Sequence, residues 1–202
     1  MEEQFDIYLA STSPRRRELL DQLGVRYYVI RQDVEENVRI GESPQAYVQR
    51  LALEKARAGW NSLLPDNRKP VLGADTAVVM GGSILGKPRD RDEGLAMLTQ
   101  LSGCCHEVYS AVALVAQTEA VKVNASQVCF DTLDAALREA YWDSGECCDK
   151  AGAYAIQGMA AAFITRLEGS YSGVMGLPLF ETAGLLKQFE IEFGIVRKKT
   201  NK

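Results

Sequence analysis

The sequence is poor in features that mark several common classes of protein. It has one histidine, His106, at the start of a predicted strand, a position that favours a structural role and leaves no Ser-His-Asp triad. The net charge of −4 gives no sign of general nucleic-acid affinity. No apolar run approaches the ~20 residues that span a bilayer, and the acidic start, residues 1–4, lacks the basic and apolar regions of a signal peptide. We therefore expect a cytoplasmic protein without nucleic-acid or membrane partners.

Cysteine is present, but in a pattern that does not indicate a disulfide framework. The five cysteines form an odd count with two adjacent pairs: Cys104, Cys105, Cys129, Cys147 and Cys148. We expect reduced thiols. The adjacent pairs and His106 would supply zinc ligands, but the usual two-residue gap between ligands is missing, so the pattern does not favour a structural zinc site.

Strand-like and helix-like segments mix along the chain without strict alternation. The apolar run Val71–Met80 is typical of a long buried strand, and Gly81–Gly82 predicts a hairpin after it. Residues 106–115 and 120–130 predict two antiparallel strands. The sequence thus predicts an α/β fold, with a mixed sheet and helices on its faces, in one domain over residues 1–202 that ends in a basic tail from about residue 195.

Three arginines stand where a helix is predicted to begin. Ser13 is a candidate N-cap and Pro14 suits the first helical position, so Arg15, Arg16 and Arg17 fall in the first turn. Cations there oppose the helix dipole by a few tenths of a kcal/mol each. A bound anion such as a phosphate chain, also met by the Ser11 hydroxyl, would resolve this conflict. The alternative is an ordinary capped helix with solvated arginines.

Asp75 is the strongest single candidate for chemistry, because it interrupts the apolar strand Val71–Met80. An unpaired carboxylate there would cost several kcal/mol, so it needs a cation, a metal or hydrogen bonds. The alternatives are a carboxylate satisfied by a neighbouring lysine, or a strand break that leaves Asp75 facing solvent. Lys55 and Lys87 are candidate cations, although single lysines are usually solvated surface groups.

Two further polar positions admit a functional or an ordinary interpretation. Glu36, beside Glu35, would hold magnesium or position a base near Asp75, or it belongs to a polar loop. Gln157 lies in an apolar stretch, where a buried amide needs partners for its donor and acceptor. It would bind a nucleobase edge, or it is tied to loop backbone.

Taken in order, these motifs resemble the Maf family of nucleoside triphosphate pyrophosphatases, from about residue 7 to residue 189. Each motif is weak alone, but the ordered set is specific. The matching segments are Leu9–Arg16, Gly73–Thr76, Lys87–Pro88, Ser102–Gly103 with His106 and Val108, Lys150–Tyr154, Gln157–Gly158, Gly169–Tyr171 and Gly176–Pro178.

The resemblance implies an elongated α/β fold of two lobes around a cleft, similar to inosine triphosphate pyrophosphatases. It implies hydrolysis of nucleoside triphosphates to monophosphate and pyrophosphate with Mg²⁺ or Mn²⁺, by a homodimer. Asp75 would be the proton acceptor. The residues around phosphates and metal would be Ser11, Arg15, Arg16, Glu36, Lys55 and Lys87, with Asp75 and Glu36 as metal ligands.

The resemblance also implies a substrate preference. Arg15, Thr76 and Gln157 match the selectivity positions of the subgroup that acts on dTTP and UTP. The alternatives are a pyrophosphatase for modified nucleotides such as 7-methyl-GTP, or a nucleotide-binding regulator of septum formation that does no chemistry. Cys104, Cys105 and Ser110 depart from the family pattern, and we attach no function to them.

Overall fold

One mixed sheet of seven strands runs through the computed structural model, which describes residues 5–194. Its strands are β1 (Ile7–Leu9), β2 (Tyr27–Val29), β3 (Val71–Met80), β4 (Ser83–Leu85), β5 (Cys105–Val115), β6 (Glu119–Phe130) and β7 (Ile164–Glu168). The strand order is β2-β1-β3-β5-β6-β7, and β4 pairs with β3. The pairs made by β1 are parallel and the others are antiparallel, so the predicted mixed sheet is confirmed.

Within residues 5–194, six α-helices and three 3₁₀ turns accompany the strands. The helices are α1 (Pro14–Gln22), α2 (Pro44–Ser62), α3 (Arg91–Leu101), α4 (Ala135–Asp143), α5 (Tyr171–Met175) and α6 (Leu179–Gln188); the turns are Pro65–Asn67, Ala151–Ala153 and Met159–Phe163. Side-chain caps explain several starts. The Ser43 hydroxyl accepts the Ala46 amide at 3.2 Å, and the Asp90 carboxylate accepts the Glu93 amide at 2.9 Å. None of the helices described is long and apolar enough to cross a membrane.

The sheet separates two groups of buried apolar side chains. Leu72, Ala74 and Val78 of β3 belong to the larger cluster, which includes side chains from α1, α3, α4 and α6. Ala77 and Val79 belong to a second cluster with α2. Because successive side chains of a strand alternate between faces, Asp75 lies on the α2 face and Thr76 on the opposite one. The two residues therefore enter different surroundings.

The structure corrects the expectation of five reduced thiols. Cys105 and Cys129 are direct partners in the register of β5 and β6, and they form a disulfide. The spacing of the two cysteines along the sequence does not predict this disulfide, because only the strand register brings the two side chains together on one face. Cys104, Cys147 and Cys148 are free. The predicted basic tail from about residue 195 lies outside the described residues.

Candidate active site

A single cleft of about 1050 Å³ is lined by all of the residues that the sequence singled out for chemistry. They are Ser11, Arg15, Arg16, Glu36, Lys55, Asp75, Thr76, Lys87 and Gln157. They come from the β1–α1 connection with the first turn of α1, the loop after β2, α2, β3, the turn after β4 and the loop before β7. The tertiary structure thus gathers six separate segments around one volume.

Asp75 is the buried carboxylate of this cleft, with 6% of its surface exposed. The Lys55 ammonium donates to Asp75 Oδ1 at 2.7 Å and forms an ion pair with Glu36 Oε1 at 2.5 Å. The alternative of a strand break with Asp75 in solvent is therefore excluded. One lysine holds two carboxylates from distant parts of the chain close together.

A glycine lets α2 approach β3 closely enough for this contact. Gly73 lies on the same face of β3 as Asp75, and a Cβ there would lie 2.3 Å from the Ala52 carbonyl oxygen and 2.7 Å from the Ala56 amide nitrogen. No side chain fits in that space. The close approach of α2 at Ala52 and Ala56 places Lys55, between them in sequence, against Asp75.

The charges around Asp75 act in opposite directions on its proton affinity. Burial raises the pKa of Asp75, while the positive charges of Lys55 and Arg16 oppose that rise. Burial also acts to raise the pKa of Glu36, but the Lys55 hydrogen bond and the charges of Lys87 and Arg16 outweigh it, so that pKa is lowered. The site combines one carboxyl of raised proton affinity with one of lowered affinity.

Arg16 ties the start of α1 to the opposite wall of the cleft. Its Nε donates to the Gly176 carbonyl at 2.9 Å, and one terminal nitrogen donates to Ser11 Oγ at 3.3 Å. Ser13 occupies the N-cap position, as predicted, but its side chain makes no capping bond; its backbone N–H donates to Ser11 Oγ at 3.2 Å. Ser11 thus organises the turn that precedes α1.

Thr76 is oriented by Ser110, a residue to which the sequence assigned no role. The two hydroxyl oxygens are 2.8 Å apart, and Ser110 donates its one proton to the Gly173 carbonyl at 2.5 Å. Since a carbonyl only accepts, Thr76 must be the donor to Ser110. The Thr76 oxygen therefore keeps only acceptor capacity for a group in the cleft.

Three polar side chains of the cleft are left available. Within residues 5–194, the side chains of Arg15, Lys87 and Gln157 have no hydrogen-bond partner. Gln157 is exposed, which corrects the expectation that its amide is buried, and of the two alternatives the structure does not support an amide tied to loop backbone. The stretch around it is apolar because Tyr154, Ala155 and Ile156 pack inward.

The carboxylates fit a divalent cation that is shared with a substrate. In the described part of the chain, no group of three or more histidine, cysteine or acidic side chains is arranged to hold a metal ion. Asp75 and Glu36, joined through Lys55, still provide two sets of hard oxygen donors beside free cationic groups. Mg²⁺ is commonly bound by one or two carboxylates together with substrate phosphates, and this donor set matches that mode.

Sequence reasoning missed some residues of the cleft. Glu146 and Asp149 line it, and the hydrogen bond that the Lys150 ammonium donates to Asp149 lowers the pKa of that carboxyl. Their spacing carries no periodic or motif signal that separates them from a solvated loop. The lone His106 lies outside the lining, buried, with Nε2 2.9 Å from the Tyr154 hydroxyl, so the structural interpretation of that histidine is confirmed.

A cleft with a buried carboxylate, a paired lysine and unpaired cations is typical of enzymes that act on phosphate esters. The chain belongs to the Maf-like protein family, whose model matches residues 6–189. It is 56% identical over 190 residues to a dTTP/UTP pyrophosphatase of Alkalilimnicola ehrlichii, covering 93% of this chain and 94% of the relative. It is 54% identical over 186 residues to a dTTP/UTP pyrophosphatase of Xanthomonas campestris, covering 91% and 98%.

Solved structures give a more distant match. A nucleoside-triphosphatase, also named dITP/XTP pyrophosphatase, of Mycobacterium abscessus aligns with a TM-score of 0.42 and 20% identity, over 64% of this chain and 76% of the other. A TM-score below 0.5 is too low to add support, so the family assignment comes from the sequence matches.

Proposed function

We propose that the protein hydrolyses dTTP and UTP to the nucleoside monophosphate and pyrophosphate. The observation that carries the proposal is the buried Asp75 carboxylate, ion-paired with Lys55 in a cleft that also contains Arg15 and Lys87, two cations without an ion pair among residues 5–194. The names of relatives more than 50% identical supply the substrate class.

Asp75 is the proton acceptor in this proposal. It takes a proton from water as the water oxygen attacks the α-phosphorus and the bond from that phosphorus to the bridging oxygen breaks. A base with a raised pKa holds the proton more strongly than an ordinary aspartate, and the charges of Lys55 and Arg16 keep the unprotonated form available.

The cations bind and stabilise the phosphate chain. Arg15 and Lys87 are free to donate to phosphate oxygens, while Arg16, already bonded to Gly176 and Ser11, presents a positioned charge. Charge that develops on the leaving pyrophosphate is stabilised by these groups without reorganisation at the moment of reaction.

Asp75 and Glu36 would hold the divalent cation. When bound, Mg²⁺ or Mn²⁺ neutralises charge on the phosphate oxygens. The low pKa of Glu36 keeps it ionised and therefore able to bind a cation at neutral pH.

The base would be recognised by Thr76, Gln157 and Arg15. Uracil and thymine present one N–H between two carbonyl oxygens. The Gln157 amide offers an acceptor and donors in a matching arrangement, and Thr76 offers an acceptor. Cytosine and guanine present other orders of donors and acceptors along this edge, so the same side chains would form a different set of hydrogen bonds with them.

The experiment is pyrophosphate release by the purified protein from dTTP, UTP, CTP and 7-methyl-GTP, with and without Mg²⁺ or Mn²⁺. We expect turnover of dTTP and UTP that is lost with EDTA and restored by added metal. Preference for 7-methyl-GTP would favour a pyrophosphatase for modified nucleotides. Binding of nucleotide without turnover would favour a non-catalytic regulator of septum formation.

A homodimer, which rests on the family resemblance, and a cytoplasmic location, which rests on the composition of the sequence, complete the proposal. Light scattering on the purified protein measures the first. Fractionation of cells that express the full chain measures the second.

A further inference from the structure

Glu146 bonds to the loop that carries Gln157. It follows α4, and its Oε2 accepts the Met159 amide at 2.8 Å, while its Oε1 lies 3.4 Å from the Ala160 amide nitrogen. These amides come two and three residues after Gln157. The carboxylate thus restrains the loop on the C-terminal side of the glutamine.

Tyr141 restrains the same loop on the other side. It lies in α4 with 5% of its surface exposed, and its hydroxyl donates to Glu146 Oε1 at 2.8 Å. The same hydroxyl accepts the Ala155 amide at 3.1 Å. Burial raises the pKa of Tyr141, so the hydroxyl remains a donor at neutral pH. One continuous set of hydrogen bonds therefore holds the backbone before and after Gln157.

Gly158 allows the carboxylate to come this close. A Cβ at Gly158 would lie 2.2 Å from Glu146 Oε2 and 2.3 Å from its carboxyl carbon. A side chain at this position would displace the Glu146 carboxylate from the loop amides. The residue next to Gln157 and the carboxylate are therefore fitted to each other.

Gln157 itself has no hydrogen bond from its side chain within residues 5–194, so its position depends on its backbone. We infer that Tyr141 and Glu146 are positioning residues for base recognition, holding the loop 155–160 so that the Gln157 amide faces the pyrimidine. This inference rests on the proposed function.

The variants exploit hydrogen-bond direction. Glu146→Gln keeps size but places an amide donor where a backbone N–H or the Tyr141 hydroxyl already donates. Tyr141→Phe removes the acceptor of the buried Ala155 amide. Glu139→Gln, on the exposed surface of α4, makes the same change of charge without touching the loop and is the matched control.

The measurements are kcat and KM for UTP and CTP, together with hydrogen–deuterium exchange of the segment 155–160 in the nucleotide-free protein. For Glu146→Gln and Tyr141→Phe we expect the KM for UTP to rise about tenfold, the usual worth of a lost buried hydrogen bond. We expect kcat to stay within a few-fold, the UTP to CTP ratio of kcat/KM to fall, and exchange in segment 155–160 to quicken. Glu139→Gln should match the wild type in every measurement.

Two results would overturn the inference. Unchanged exchange in both variants would show that Tyr141 and Glu146 do not restrain the loop. Equal loss for UTP and CTP, with kcat falling and KM constant, would show a structural role without base selection. If the wild type hydrolyses neither UTP nor dTTP, the proposed function and the base-selection role fail together. Hydrogen–deuterium exchange would then still show whether Tyr141 and Glu146 restrain segment 155–160.

Discussion

Two groups of cleft residues are organised in opposite ways. The residues proposed to bind the phosphates are called the phosphate end, and the Gln157 loop proposed to bind the base is called the base end. At the phosphate end, buried and half-buried charges satisfy one another directly: Lys55 pairs with Asp75 and Glu36, and Arg16 bonds to Gly176. At the base end, Gln157 is exposed and its side chain makes no hydrogen bond within residues 5–194, while its loop is held through main-chain amides. The charged side chains are positioned by the bonds that they form, whereas the Gln157 amide is positioned by its backbone.

The difference follows from the free energy that each group of residues costs the folded protein when no ligand is bound. An unpaired charge at the position of Asp75 would be costly, so the protein supplies a counter-ion. An exposed amide forms its hydrogen bonds with water at little cost, so Gln157 needs no partner within the protein. At the base end, binding therefore depends on where the loop backbone places the Gln157 amide.

The largest expected effect is at the phosphate end. Asp75→Asn should lower kcat by ~10²–10⁴ and leave much of the nucleotide affinity, because a lost general base commonly costs that much. Asp92→Asn, on the exposed start of α3, is the control. Steady-state kinetics and nucleotide titration make the comparison. Turnover of Asp75→Asn within a few-fold of the wild type would show that Asp75 is not the base.

The next effect separates free cations from paired ones. Lys87→Ala should lower kcat/KM by about 10² and leave the melting temperature nearly unchanged, because Lys87 forms no hydrogen bond or ion pair within residues 5–194 and is free to bind substrate, while its charge acts on Glu36 only at longer range. Lys187→Ala, exposed on α6, is the control. Arg16→Ala should lower both activity and melting temperature, because it removes the bonds to Gly176 and Ser11. Equal loss of melting temperature in Lys87→Ala and Arg16→Ala would contradict the distinction.

At the base end the effect should appear in selectivity. Gln157→Glu should lower kcat/KM for dTTP and UTP by about ten- to a hundredfold, because a charged acceptor would face a carbonyl oxygen. Activity toward guanine-type triphosphates should fall less or rise. The ratio of kcat/KM for dTTP and 7-methyl-GTP measures this. An unchanged ratio would remove Gln157 from base recognition and leave Arg15 and Thr76 to account for it.

The last expected effect concerns stability instead of activity, and it tests His106, a buried and neutral side chain. Burial lowers the pKa of His106 from 6.5 to about 4, and its Nε2 bonds to Tyr154, whose side chain lines the cleft. Above pH 6.5 the histidine is neutral in both the folded and the unfolded chain. Between pH 6.5 and about 4 the unfolded chain binds the proton more strongly, so stability falls by up to roughly 3 kcal/mol as pH falls.

Urea unfolding of the wild type and His106→Gln at pH 7 and pH 4.5 measures this contribution. The free energy of unfolding of the wild type should fall more on acidification than that of the variant, because glutamine does not titrate. Equal falls would mean that His106 does not contribute to the pH dependence.

Much of the site was predictable because its residues conflict with their local surroundings. Asp75 in an apolar strand and three arginines at a helix start are anomalies that can be recognised without coordinates. Asp75, Arg15 and Arg16 line the cleft, whereas Arg17 is exposed outside its lining. Ser110 and Glu146 could not be found in this way. A serine in a strand and a glutamate in a polar loop conflict with nothing locally, and their importance arises from atoms more than ten residues away.

The sequence by itself determined the strands and helices, the mixed sheet and the family, because apolar periodicity, caps and ordered motifs are local properties of the chain. Only the tertiary structure decided that Cys105 joins Cys129, that Gln157 is exposed, and that Lys55 bridges Asp75 and Glu36. Each of these depends on strand register or on the distance between elements. Strand register and the distance between elements come from packing across the sheet, as at Gly73 against α2. Such packing involves several distant segments, so no single segment of the sequence predicts it.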